Sequence, residues 1–189
     1  SPVASELVAP LFAHQVGADA ESPVHFADGW DVWITKYLVS IREIRVADST
    51  GTRAHHDERG FVVDLTQDAT ELDLVSVSAQ RWDAIDVELR PPAFGDSEAA
   101  AGVLDTEVLA MEQAGASYLV EGVAHHTQSG RNVEFSFPID LEAAYLNCTN
   151  GEDGGQGLVV ERSATTPLRF NFHIEHLFYA DLASEQPVL

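Results

Sequence analysis

The sequence predicts an all-β fold, an antiparallel β-sandwich with short peripheral helices, and three observations lead there. Apolar and polar residues alternate with period two in several runs, clusters of Asp, Ser, Thr, Gly and Pro separate those runs, and strands do not alternate regularly with helices. Residues 32–46, VWITKYLVSIREIRV, are rich in β-branched and aromatic residues. They read as one long or broken strand that stops at the turn composition Asp48-Ser49-Thr50-Gly51. Residues 61–65, 71–77 and 82–89 follow as strands. In the last of these Ile85, Val87 and Leu89 alternate with Asp86, Glu88 and Arg90, as expected where one face is wet, and Pro91-Pro92 ends the run. Residues 103–111 fit a short helix or an edge strand. Residues 118–126 and 132–139 form a hairpin across Gln128-Ser129-Gly130, with Val133, Phe135, Phe137 and Ile139 on one face. A Gly-rich loop over 150–157 precedes strands at 158–160 and 168–174, and residues 181–185 close the chain as a short helix or turn. Near the start, Leu7, Leu11 and His14 lie at helical spacing within 6–15. The expected organisation is an N-terminal extension, 1–27, packing on a β-sandwich domain, 28–189.

Length and composition narrow the function. A chain of 189 residues with 45% hydrophobic content can bury one ordinary core. Thirty-one acidic residues face ten basic ones, for a formal charge of −21, and Lys36 is the sole lysine. That balance excludes binding to DNA, RNA or anionic lipid by phosphate neutralisation. No run of about eighteen apolar residues is present to span a membrane as a helix, and the Ser1-Pro2 start lacks a basic region followed by an apolar one. The single cysteine, Cys148, rules out an internal disulfide and a multi-cysteine zinc site; beside Tyr145 and Leu146 it reads as a small packed side chain.

The densest chemistry lies in residues 172–181, FHIEHLFYAD, where His173, Glu175 and His176 crowd an otherwise apolar strand ending. In a continuous strand His173 and Glu175 face one side and His176 the other. Both imidazoles reach one ion only if the strand ends within the motif, as at a strand-to-helix junction. Neutral imidazoles with a carboxylate suit copper or zinc. The alternative is a pair of histidines that cap the strand by hydrogen bonds. His25, beside Asp28-Gly29-Trp30, and His125 or His126, at the hairpin end, are the supporting ligand candidates; adjacent residues on a strand face opposite sides, so only one of that pair can serve a given site. His55 and His56, next to Asp57 and Glu58, read as a solvated turn. Trp30, Trp33 and Trp82 read as core anchors. Glu152-Asp153-Gly154 lacks the alternating oxygen ligands of a calcium loop, so calcium fits less well than a transition metal. No nucleophile elbow, phosphate-binding Gly loop or His-Glu-x-x-His helix is present, and no catalysis is expected.

Several blocks are similar to uncharacterised bacterial extracytoplasmic lipoproteins. They are Asp28-Gly29-Trp30 leading into a strand that ends Leu38-Val39-Ser40-Ile41, Phe61 to Leu65, Gln80 to Ile85, Val120 to Ala124, Val133 to Phe137, and Tyr145 near Cys148. The late motif of that group commonly reads His-Gly-Asp-His-Leu-Phe, so His173, Glu175 and His176 fall on matching positions, with Ile174 in place of Gly and Glu in place of Asp. The first half more loosely resembles the MbnP-like copper-binding proteins. These resemblances imply a periplasmic or extracellular protein, membrane-tethered in some relatives, that binds copper or zinc. The competing expectation is a non-catalytic accessory subunit on the extracytoplasmic face of a larger membrane-associated assembly, marked by an exposed apolar patch.

Overall fold

The computed structural model describes residues 5–11, 23–57, 60–67, 70–93, 95–149, 155–168, 170 and 172, with backbone alone at 5–11, 53–57, 70–76 and 167. Along the chain run β1 (Ser5–Leu11), β2 (Val24–His25), β3 (Trp30–Ala47), β4 (Arg53–Asp57), β5 (Gly60–Asp64), β6 (Thr70–Val77), β7 (Arg81–Trp82), β8 (Ala84–Leu89) and β9 (Ser97–Ala99). Then come helix α1 (Asp105–Ala114), β10 (Tyr118–His126), β11 (Asn132–Ile139), β12 (Ala143–Tyr145), β13 (Leu158–Val159) and β14 (Thr165–Pro167). The β-rich class therefore holds. The sheets are mixed rather than purely antiparallel, because β5 pairs β9 and β1 pairs β14 in parallel.

The organising element is β3. Its length follows from an uninterrupted β-branched and aromatic run without Gly or Pro, and it ends where the Asp48 carboxylate accepts the N–H groups of Thr50 and Thr52. One edge of β3 pairs β10 along residues 30–39 and then β8 along 41–47. The other pairs β2, β5 and β4, and β11 and β12 continue the sheet outward from β10 and β8, giving nine strands. A separate three-stranded sheet has the order β14-β1-β6, and β13 pairs β7.

The alternation of β3 divides the apolar residues between two faces. On one face Val32, Ile34, Tyr37, Val39 and Ile41 join Phe61, Val63, Val87, Leu89, Tyr118 and Val120 in the largest cluster, against which Trp30, Phe135, Phe170 and Phe172 pack. On the other, Leu38 and Val62 meet Val108 and Met111 of α1. Beyond the end of β3 a third cluster joins Val46 and Ile85 to Val77, Trp82, Val160 and Leu168, with Phe170 touching both it and the main cluster. Of the three tryptophans, Trp82 is a core anchor and Trp30 packs on the core. Trp33 is half-buried on the face that carries the helix, outside all three clusters.

Three expectations need correction, and a fourth segment resolves to one of its two readings. Residues 5–11 are not helical: β1 lies between β14 and β6, with Leu7 opposite both Thr166 and Val75, so non-local pairing overrides a four-residue leucine spacing that fits a helix locally. His55 and His56 sit not in a turn but on β4, opposite Val46 and Arg45. Of the strand expected at 168–174, Leu168, Phe170 and Phe172 are outside any strand, the nearby strand being Thr165–Pro167, and residues 169, 171, 173 and 174 lie outside the described residues. Residues 103–111 resolve as helix, begun by Glu107 accepting the Leu104 N–H at 2.8 Å and ended by Gly115 in the left-handed region, φ 61°. The expected segments at 12–15 and 181–185, and most of the Gly-rich loop, lie outside the described residues.

Candidate functional site

The hairpin β10–β11 and the pairing of β3 with β2 place four polar residues in a single row across the sheet. His25 is opposite Asp31, Asp31 opposite His125, and His125 opposite Asn132. Directly opposed residues project from the same face, so the row lies on the side of the sheet that carries α1, at the end the helix does not cover. With neighbouring strands spaced at about 4.8 Å, the Cα atoms of His25 and His125 stand roughly 10 Å apart with Asp31 between them.

Each imidazole in the row is held by its Nδ1. The His25 Nδ1 lies 2.6 Å from Asp31 Oδ1, and the His125 Nδ1 lies 2.6 Å from Asn132 Oδ1. A carboxylate and an amide oxygen only accept, so both rings carry their proton on Nδ1 and present Nε2 as the lone-pair nitrogen. Neither Nε2 has a hydrogen-bond partner among the described residues. The His25 side chain is 75% exposed. The two rings lean differently: His25 tilts inward over Asp31, and His125 leans outward to Asn132.

His126 takes the opposite role and face. Its Nδ1 accepts from the Ser129 N–H at 3.2 Å, and its Nε2 donates to the Asp28 carbonyl at 3.2 Å, so both nitrogens are engaged. The ring packs against Trp30 with centroids 5.0 Å apart. Thr127 donates both its N–H and its hydroxyl to the Gly29 carbonyl. This clasp fastens the β10–β11 turn to the start of β3 and fixes His125 opposite Asp31. Gly122 tightens the same region, since a Cβ there would collide with the Trp33 carbonyl oxygen and the Phe135 ring.

Below the row on the same face, Lys36 closes the boundary with the helix. Its ammonium lies 2.5 Å from Glu107 Oε1 and 3.9 Å from the buried Asp64 carboxylate, and the bond to Glu107 raises its pKa despite partial burial. Asp64 accepts from the Thr66 N–H and hydroxyl at 3.0 and 2.7 Å.

The remaining sequence candidates fall elsewhere. His173, Glu175, His176 and His14 lie outside the described residues, and only the backbone of His55 and His56 is described. Cys148 is half-buried, and burial together with the nearby Asp86 carboxylate pushes its thiol pKa up, which keeps it protonated and a poor ligand. Among the described residues no three His, Cys, Asp or Glu side chains converge closely enough to hold a metal ion by themselves, and no helix is long and apolar enough to cross a membrane. Asp31 and Asn132 are the members of the row that sequence reasoning passed over. The hairpin register would have found Asn132, because pairing 118–126 with 132–139 across the turn sets it against His125. In comparisons with known proteins, no family, no curated protein and no solved structure matches the chain.

Proposed function

We propose that this chain is an extracytoplasmic copper- or zinc-binding protein in which His173, Glu175 and His176 supply the principal ligands and His25 and His125 the supporting ones. The observation that carries the reading is the pair of exposed imidazoles whose Nδ1 protons are tied to Asp31 and Asn132. Metal-bound histidines usually donate the second ring N–H to a carboxylate or carbonyl, which fixes the tautomer and makes the free nitrogen more basic. His25 and Asp31 have that arrangement with a carboxylate, His125 and Asn132 with an amide oxygen. Two imidazoles leave a tetrahedral ion short of ligands, and the C-terminal motif offers two more and a carboxylate. The role is metal capture or delivery, without chemistry on a bound substrate. The extracytoplasmic location rests on the resemblance of blocks such as Val120 to Ala124 and His173 to Phe178 to bacterial lipoproteins. Within this reading the three-stranded sheet closes over the end of the main sheet as a sandwich, a packing supported by the cluster that Val77 shares with Val46 and Ile85.

The test is metal content by mass spectrometry on protein prepared without a histidine tag, for the wild type and for the double variants His173→Ala/His176→Ala and His25→Ala/His125→Ala. Near-stoichiometric copper or zinc in the wild type is expected, lost in the first variant and reduced at least tenfold in affinity in the second. A wild type that refuses both added metals rejects the proposal.

A further inference from the structure

At the other side of the hairpin the molecule exposes apolar surface. Phe137 is 45% exposed, Leu141 44%, Tyr145 51% and Leu146 63%, all within β11, β12 and the residues joining or following them. The rings are held in place. Phe137 stacks on Phe135 with centroids 5.0 Å apart and planes 18° from parallel, and the Tyr118 ring at the same rim meets Tyr37 at 6.1 Å. Phe137 lies opposite Val120 and Tyr145 opposite Val87, so both project on the side of the main core and form its rim. An ordered aromatic ledge left in water is the signature of a contact surface.

Charge and backbone say what kind of partner fits. Residues 132–147 contain Glu134, Asp140 and Glu142 and no Lys or Arg. A second copy of the chain would bring another −21 against the ledge, which opposes self-association. Strand addition is also disfavoured. The Arg131 and Ile139 carbonyls accept from the N–H groups of His126 at the end of β10 and of Ser117 just before it, which turns the backbone of Asn132, Glu134, Ser136 and Pro138 outward. Pro138 has no N–H to offer there, and Glu134 adds charge, both devices that blunt an edge strand.

We propose that this ledge docks a partner protein through a cationic, apolar segment. Its aliphatic or aromatic residues cover Phe137 and Tyr145, its guanidinium groups lie over those rings, and its charges pair with Asp140 and Glu142 in the loop between β11 and β12. The contact is made through side chains, without extending the sheet. This inference stands apart from the metal reading, since it uses none of the imidazoles.

The probe is a synthetic twelve-residue peptide alternating Arg with Leu and Trp, titrated into isotopically labelled full-length protein at 0.15 M salt, with an Asp-for-Arg peptide as control. Amide shifts confined to residues 134–146 are expected. Affinity should fall at least tenfold in Phe137→Ser/Tyr145→Ser, and stay within twofold in Asp96→Asn/Glu112→Gln, which removes charge elsewhere. The variant Asp140→Asn/Glu142→Gln keeps the rings and should lose most of the salt dependence, which keeps the test decisive if the serine variant folds poorly. Shifts spread over the whole acidic surface, equal binding by the ring and charge variants, or a wild-type dimer in sedimentation that the ring variant abolishes would each overturn the proposal.

Discussion

Leu38 and Asp31 lie on the same strand and face the same side of the same sheet, yet one is fully buried and the other opens to water. The difference is α1. Val108 and Met111 cover Leu38, Val62 and the neighbouring Leu119, and Lys36, pinned by Glu107 and Asp64, marks where the helix's cover ends. Past that boundary the face carries Trp33, Asp31, His25 and His125 without a covering element among the described residues. The covered half has the interlocked apolar groups that stabilise a fold, and the open half has polar groups tied to one another with a nitrogen to spare. Stability and ligand chemistry are thus separated along one sheet face.

Substitutions should respect that separation. Met111→Ala, at a fully buried position, is expected to cost about 2–5 kcal/mol in urea denaturation through lost contacts and a residual cavity, with metal affinity unchanged. A stability loss within about 0.5 kcal/mol, the range of ordinary surface positions, would mean that the helix does not seal the face. Asp64→Ala leaves the Thr66 and Tyr37 N–H groups without their acceptor and should cost about 1–3 kcal/mol, again without effect on metal. In the open half the pattern reverses. His25→Ala/His125→Ala should change stability by less than about 0.5 kcal/mol while weakening copper or zinc binding at least tenfold by titration calorimetry.

The covered and core residues also set the alkaline limit. Burial pushes the Tyr37 phenol well above its usual value of 10, and Tyr118 moves the same way, first from burial and then from Tyr145. A raised pKa in the folded state means the stabilising contribution is complete below pH 10 and is lost as pH climbs towards the folded value. Lys36 adds in the same direction, because its raised pKa keeps the ion pair intact past 10.5. Tyr37→Phe removes one ionisable group from the core and should raise the midpoint of alkaline unfolding, followed by circular dichroism. An unchanged midpoint would show that Tyr37 ionises without unfolding.

Much of the framework was legible in the sequence because it is local. The alternation of Ile85, Val87 and Leu89, the β10–β11 hairpin and the long run of β3 are period-two signals that pairing reinforces. What escaped depends on distant partners. β1 is a strand because β6 and β14 flank it, and β4 is a strand because β3 folds back on it, although His55-His56-Asp57 is a polar sequence without an apolar stripe. The helix was ambiguous because only Val108 and Met111 of its ten residues are buried, too few to write a helical period. In the candidate site the two imidazoles stood out by residue type. Their alignment with Asp31 was hidden, because it needs β2 and β10 to pair opposite edges of β3 at one residue.

The most direct test of the open row is long-range nitrogen–proton NMR of the histidine side chains in the full-length protein during titration with zinc. The account predicts that Nε2 of His25 and of His125 moves to the metal-bound range while each Nδ1 keeps its proton against Asp31 and Asn132. Saturation with zinc that leaves both rings unmoved would contradict it.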